Sequence, residues 1–327
     1  MDFIGIPGTD LTVSPICLGT SQMGTAIDLE ESCRLLDLYN EHGGNFVDTA
    51  HIYGDWVPDI PRSIGERTVG TWLKGRKRRD DIVVATKGGH WRFDAPLQSR
   101  VTPDAIAEDV DESLHCLGSD YIDLYWLHRD DTTKPVGVLL EALERERQAG
   151  KIRWYGASNW SSPRMMQAEY YAANNNLTGF TASQVYWNSA VLKSRPFADP
   201  GMELMTQELY EFHSRTGMAA IPYHSQAGGL YTKMARTGPS LNGPPPAPHF
   251  DLEKCRARLN AMTKVSNDTG LTVTQIALAI LCSQPFPTIP VVGCRTPEQL
   301  RDSLTATSIK LSPAQVHSIL DTAWHVL

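Results

Sequence analysis

Four ionisable residues stand where short apolar runs give out. Asp48 closes the run NFVDTA and Tyr53 follows five residues later, while Lys87 ends DIVVATK and His128 ends YIDLYWLH. Each alone has a plain explanation: a loop cap, a packing ring, a solvated strand end, a satisfied imidazole. Together, a carboxylate, a phenol, an ammonium and an imidazole at neighbouring strand ends would be costly to bury without a use. A phenol, with a pKa of about 10, is a weak acid at neutral pH, and an adjacent ammonium favours its ionised form and lowers that value. The set therefore reads as a proton-transfer site. Tyr53 is the acid, Lys87 the cation that lowers its pKa, Asp48 the ion-pair partner that holds Lys87, and His128 a hydrogen-bonding group for a carbonyl oxygen. No Ser, Cys or Thr in these runs stands beside a base in a nucleophile motif, so the site protonates and does not attack.

Protonating a carbonyl oxygen is useful only when something adds to the carbon. The remaining run ends carry amides and hydroxyls, namely Ser158, Asn159, Gln184 and Tyr223. That set suits a carboxamide ring with an aromatic on its face, as a nicotinamide requires. After the last run, Thr296 is placed to N-cap a helix that begins with Pro297, and a phosphate fits such a helix N-terminus. Arg295 beside it suits a 2′-phosphate, which favours NADP (NADPH) and leaves NAD open. An ordinary cap and a surface Arg is the plain alternative. Trp56, Trp91 and Trp187, with His90, lie in segments expected near the mouth and would make an aromatic wall for hydrophobic or sugar-like carbonyl compounds. Core packing accounts for Trp126 equally well.

The elements that must position these groups are legible too. Eight short apolar or β-branched runs recur: PICLGT, NFVDTA, DIVVATK, YIDLYWLH, IRWYGAS, FTASQVY, MAAIPY and PTIPVV. Most are separated by room for a helix, the spacing of βα units joined by right-handed crossovers. Thr102-Pro103 supplies a cap and a first helical Pro, Ile106, Val110, Leu114 and Leu117 line one face, and Gly118 ends the segment. Pro135 opens a second helix with Val136, Leu139, Leu140 and Leu143 on one face and Gly150 at its end. Eight such units predict an α/β (β/α)8 TIM barrel forming a single domain over residues 1–327. No G-x-G-x-x-G follows a strand, which argues against a doubly wound dinucleotide fold. The gap between the seventh and eighth runs is long and holds TGPSLNGPPPAPHF, Thr237 to Phe250, which must be a loop: a lid over the mouth or a tether outside it.

Composition excludes several function classes. With 41% hydrophobic and 20% charged residues in 327, the chain has material for a large core, and a net charge of −7 argues against nonspecific binding of nucleic acid or anionic lipid. The longest apolar run, Ile276 to Cys282, is too short to span a bilayer. The N-terminus has neither the basic nor the apolar region of a secretory signal, which points to the cytoplasm. Six scattered cysteines without a CxxC pair read as reduced, buried thiols, not a disulfide framework or a metal site. The basic cluster Lys74 to Arg79 is followed by Asp80 and Asp81 and reads as a solvated helix end. Nothing in the sequence marks an oligomeric state.

The segments NFVDTAHIYG, VVATK, DYIDLYWLHRDD, AGKIRWYGASNW, SQVYWN, IPYHSQAGGL and GCRTPEQL resemble the aldo-keto reductase superfamily in order and spacing, from about Ile16 to Leu304. The resemblance implies that Asp48, Tyr53, Lys87 and His128 form a catalytic tetrad. It further implies nicotinamide contacts at Ser158, Asn159, Gln184 and Tyr223, and an adenosine-phosphate loop from Gly293 to Gln299. It implies NADPH bound extended on a barrel, an N-terminal hairpin in FIGIPGTDLTVS that closes the barrel bottom, and a small carbonyl or alcohol substrate. Gly293 and Gln299 stand where some members have Lys and Arg, and Ser303 where many have Asn. The complete tetrad favours an enzyme over the alternative the family also contains, a nucleotide-binding regulatory subunit. A metal-dependent hydrolase would need a ligand cluster, for which only Asp48 and His128 are available.

Overall fold

A computed structural model describes residues 1–196, 199–237 and 248–320. Strands β1 (Ile4–Gly5) and β2 (Thr12–Val13) form an antiparallel N-terminal hairpin with Ile4 opposite Val13. Eight further strands among the described residues run parallel. They are β3 (Cys17–Gly19), β4 (Phe46–Asp48), β5 (Val83–Gly88), β6 (Ile122–Leu127), β7 (Ile152–Ser158), β8 (Ala182–Gln184), β9 (Ala219–Ala220) and β10 (Val291–Val292). They pair in the order β10-β3-β4-β5-β6-β7-β8-β9. Two further bonds close the ring, Ile289 N–H donating to Ala220 O at 2.9 Å and Val291 N–H to Pro222 O at 2.8 Å. The architecture is the (β/α)8 barrel that the eight runs predict.

The strands are near-continuously apolar because both faces are buried. Inside the ring Phe46, Ala85, Leu124, Trp126, Ala219 and Ile289 pack together, and Ile6, Leu11 and Val13 of the hairpin join the same cluster. The hairpin therefore stops one end of the barrel with side chains, and the opposite end, where the strands' C-termini lie, is left for chemistry.

The helix punctuation is realised. The helix Pro103–Leu117 is capped by Thr102, whose side chain accepts from the Ala105 N–H, and ends at Gly118 in the left-handed region at φ 59°. The helix Val136–Gln148 buries Leu139, Leu140 and Leu143 and follows Pro135. The basic cluster is less solvated than expected. Arg76 lies 4.6 Å over the Trp72 ring, and Arg79 sits 4.6 Å over Tyr121 while pairing with buried Asp123 at 2.9 Å. Both guanidiniums use planar faces on aromatics, which a charge count does not reveal.

The connection between β9 and β10 is mostly helical, with helices Leu230–Thr237, Leu252–Thr269 and Val273–Cys282. Residues 238–247 of the predicted loop lie outside the described residues, and the lid reading lies there with them. Its end is tied down. Lys193 N–H donates to His249 O and Asp251 N–H to Val191 O, both at 2.8 Å. Cys17, Cys255, Cys282 and Cys294 are buried and Cys33 and Cys116 half-buried, all as free thiols. No helix among the described residues is long and apolar enough to cross a membrane.

Candidate active site

Parallel pairing sets the four ionisable groups side by side. Asp48 lies opposite Ala85 on the next strand, and Lys87 opposite Trp126 on the one after. Lys87 Nζ donates to Asp48 Oδ2 at 2.5 Å, to Thr49 O at 2.6 Å and to Tyr53 OH at 3.1 Å. The other Asp48 oxygen accepts from Trp126 Nε1 at 3.0 Å and Gln184 Nε2 at 3.1 Å. Lys87 and Asp48 are each 1% exposed. An ion pair at that depth persists only when every donor and lone pair is used, which these contacts achieve. Tyr53 is held by its backbone: its N–H donates to Ala50 O at 3.0 Å, and its carbonyl accepts from Gly65 N–H at 3.1 Å.

The charges on this set differ in one respect from the sequence reading. Burial alone would depress Lys87, but the Asp48 charge beside it outweighs that and holds the ammonium above its usual range. Tyr53 is raised, not lowered. Its burial outweighs the attraction of Lys87, and the Asp48 carboxylate adds to the rise. Lys87 therefore limits the rise of the phenol's pKa and does not reverse it. Burial, reinforced by Arg129, His90, Lys87 and His51, drives His128 well below the ordinary histidine range, so its imidazole is neutral at physiological pH. His128 Nδ1 is buried without a hydrogen-bond partner among the described residues.

Asp48, Tyr53 and His128 line a cavity of about 400 Å³ whose other wall carries Ser158, Asn159, Gln184 and Tyr223. A second hollow of about 560 Å³ shares Gln22, Gln226, Gly228, Gly229 and Gly293 with it and reaches Arg295 and Gln299. The two form one groove from the proton-transfer set to the start of the helix Pro297–Thr305. Thr296 caps that helix, accepting from Gln299 N–H, and is absent from the lining of both hollows. Gln299 bonds back to Arg295 N–H at 2.8 Å, and Arg295 Nε donates to Gln22 at 2.6 Å across the groove. Lys233, Arg236 and the carboxylate Asp302 line the same hollow, so with Arg295 its lining carries more basic than acidic side chains.

The donor set of these residues suits a nicotinamide dinucleotide. Gln184 keeps its side-chain carbonyl and Ser158 its hydroxyl proton for a carboxamide. Asn159 is already engaged, donating to His128 O at 3.2 Å and to Ser158 Oγ at 3.1 Å while accepting from Tyr223 OH at 2.6 Å. It braces the wall in a left-handed conformation at φ 63°.

The family model for the aldo/keto reductase family matches residues 15–323. The chain belongs to the aldo/keto reductase family. An aryl-alcohol dehydrogenase (NADP(+)) of Phanerodontia chrysosporium is 30% identical over 97% of this chain and 84% of its own length. The norsolorinic acid reductase stcV of Emericella nidulans is 29% identical over 97% and 80% respectively. The barrel superposes on a thermostable aldo-keto reductase solved in complex with the inhibitor epalrestat, with a TM-score of 0.71 at 21% identity over 98% of this chain and 99% of that one, which shows the shared fold. As an aldo/keto reductase, the protein is an oxidoreductase that interconverts carbonyls and alcohols.

The aromatic residues of this aldo/keto reductase divide. Trp56 is 45% exposed at the cavity mouth, with its ring 6.1 Å from Tyr53 and 6.3 Å from Phe93. Trp91 lines an adjoining recess and packs edge-on against Phe93 at 5.1 Å. Trp187 is not at the cavity: it is buried against Phe286 at 6.1 Å on the outer face of the strands. Side chains alternate along an extended segment, and Trp187 is three positions past the inward-facing Gln184, so it points the other way. Trp126 is buried in the barrel interior, as core packing requires, and is not part of the cavity lining; its Nε1 donates to Asp48. Sequence reasoning missed Gln22 and the pair Arg129–Asp199, at 2.9 Å, because each meets its partner only through loop folding.

Proposed function

We propose that the protein reduces aryl aldehydes and ketones to alcohols with NADPH, and catalyses the reverse oxidation, with Tyr53 as the proton donor and acceptor. The observation that carries this reading is the hydrogen-bonded chain Asp48–Lys87–Tyr53, opening into a cavity that His128 also lines. A bound reduced nicotinamide supplies the hydride to the carbonyl carbon. Tyr53 OH donates its proton to the oxygen that gains charge, and Lys87, 3.1 Å away, stabilises the phenolate left behind. Asp48 keeps Lys87 in place, and neutral His128 donates a hydrogen bond that orients the carbonyl. Ser158 and Gln184 would hold the carboxamide, with Tyr223 on the ring face. Arg295, near Lys233 and Arg236, would meet a 2′-phosphate, in keeping with the NADP(+) relative. Trp56 and Phe93 at the mouth suit an aryl substrate, as does that relative's name.

The test is benzaldehyde turnover followed by NADPH absorbance, with NADH in parallel. NADPH consumption in step with benzyl alcohol formation is the expected result. Coenzyme binding without turnover of any aldehyde would sink the catalytic reading and leave a regulatory nucleotide-binding role.

A further inference from the structure

His90 takes no part in the proton-transfer set, yet it lines the same cavity. Its Nδ1 lies 2.7 Å from Trp91 O. A carbonyl oxygen only accepts, so Nδ1 carries the proton and Nε2 the lone pair. Burial, reinforced by the Arg129 charge, pushes the imidazole down to about 4, and the opposing Asp199 carboxylate does not restore it. Its ring is held between Trp91, at 4.7 Å, and His128, at 4.8 Å. Among the described residues no protein group bonds Nε2. The cavity wall thus carries an acceptor with a fixed tautomer beside the imidazole that meets the substrate carbonyl.

That acceptor restricts what binds beside the carbonyl. Tyr53 and His128 both hydrogen-bond to the carbonyl oxygen, so neither serves a second oxygen. A lone pair shut in by a ligand without a proton to offer is a buried unsatisfied acceptor, whereas a hydroxyl in that place satisfies it. The two imidazole centroids are 4.8 Å apart, a separation that favours a hydroxyl on the atom next to the one bearing the carbonyl over one across an aryl ring. The rings of Trp56 and Phe93 line the same cavity, with Trp91 packed behind Phe93, and favour a flat ring over a sugar chain.

The geometry points to His90 as a specificity-determining residue that accepts a hydrogen bond from a substrate hydroxyl, making aryl aldehydes and ketones with an ortho hydroxyl the preferred substrate class. This assignment rests on the carbonyl-reductase reading above and names the substrates of that same site.

The experiment compares kcat/KM for ortho-hydroxybenzaldehyde and ortho-methoxybenzaldehyde with NADPH, in the wild type and in His90→Phe. Intrinsic reactivity cancels when the wild-type ratio is divided by the variant's; the hydroxyl's internal bond to its own carbonyl does not, because its one proton must leave that bond to reach His90, and the loss is set against the gain. The expected quotient is at least about tenfold in favour of the hydroxyl. Should His90→Phe not fold, the wild-type ratio is divided by that for borohydride reduction of the same two aldehydes, with the same expectation. A quotient near one, with benzaldehyde still reduced by the wild type, overturns the role of His90 alone. No turnover of benzaldehyde or of either ortho-substituted aldehyde overturns the carbonyl-reductase reading, and this assignment with it.

Discussion

At the scale of single residues, the site depends on one buried ammonium with three oxygen partners. Lys87 reaches Asp48, Thr49 and Tyr53 within 3.1 Å, and removing any partner leaves charge or lone pairs buried without compensation. Tyr53→Phe removes the transferable proton and keeps the ring, so coenzyme affinity should persist while the hydride step slows by about 100-fold or more. Single-turnover kinetics with coenzyme binding measured separately would show it, and an unchanged step would reject Tyr53 as the acid. The raised phenol has a second consequence. A proton donor whose pKa lies above its ordinary value stays protonated through neutrality, so reduction should be level from about pH 6 to about pH 9 and fall only in the alkaline range. Oxidation needs the ionised phenol and should climb across that span. Opposite slopes for the two directions, read from kcat/KM against pH, are the signature; reduction that falls between about pH 6 and about pH 8 would contradict the raised value.

At the scale of elements, short turns aim these groups. The segment from β4 to the helix Ile64–Lys74 must fold back on itself so that Gly65 N–H meets the Tyr53 carbonyl. Gly54 permits this: its φ is 98°, and a Cβ there would meet Ile64 Cγ2 at 2.1 Å. Gly54→Ala therefore combines backbone strain with a clash against a branched side chain, costing about 1–3 kcal/mol of stability. The displaced loop carries Tyr53, so kcat/KM should fall by about tenfold or more along with the melting temperature, since small misplacements of a catalytic group are expensive. Loss of stability with full activity would show that the loop does not aim the tyrosine.

At the scale of the whole molecule, barrel closure joins residues from both ends of the chain into one groove. Gln22 follows β3 and Arg295 follows β10, and their contact at 2.6 Å spans the hollow at its far end. A ligand filling both hollows touches both ends and should stabilise the entire barrel. At about 100 times its dissociation constant, NADPH should add about 2.7 kcal/mol, read as a rise in melting temperature. Arg295→Ala should remove more of the NADPH-induced rise than of the NADH-induced rise, because only NADPH carries the 2′-phosphate. Equal losses for the two coenzymes would place the phosphate elsewhere. At this scale too, the Leu192 and Phe250 segments pair antiparallel, bracing the loop after β8 against the β9–β10 connection.

The sequence by itself determined the repeating architecture and which four ionisable groups the barrel gathers at one rim. Strand runs, helix caps such as Thr102 and Thr296, and terminal glycines such as Gly118 act locally, so backbone preference and apolar periodicity make them readable. Asp48, Lys87 and His128 were legible because each ends a strand, and a parallel barrel brings all strand ends to one rim. Tertiary structure alone decided the rest. It turned Trp187 outward, engaged Asn159 in bracing the wall, fixed the tautomer of His90 against Trp91, and raised the Tyr53 pKa that a neighbouring cation suggested would fall. Each of these depends on which groups converge from distant loops and on how much water they exclude. Spacing along the chain records neither, because desolvation is a property of the assembled neighbourhood and not of the residue.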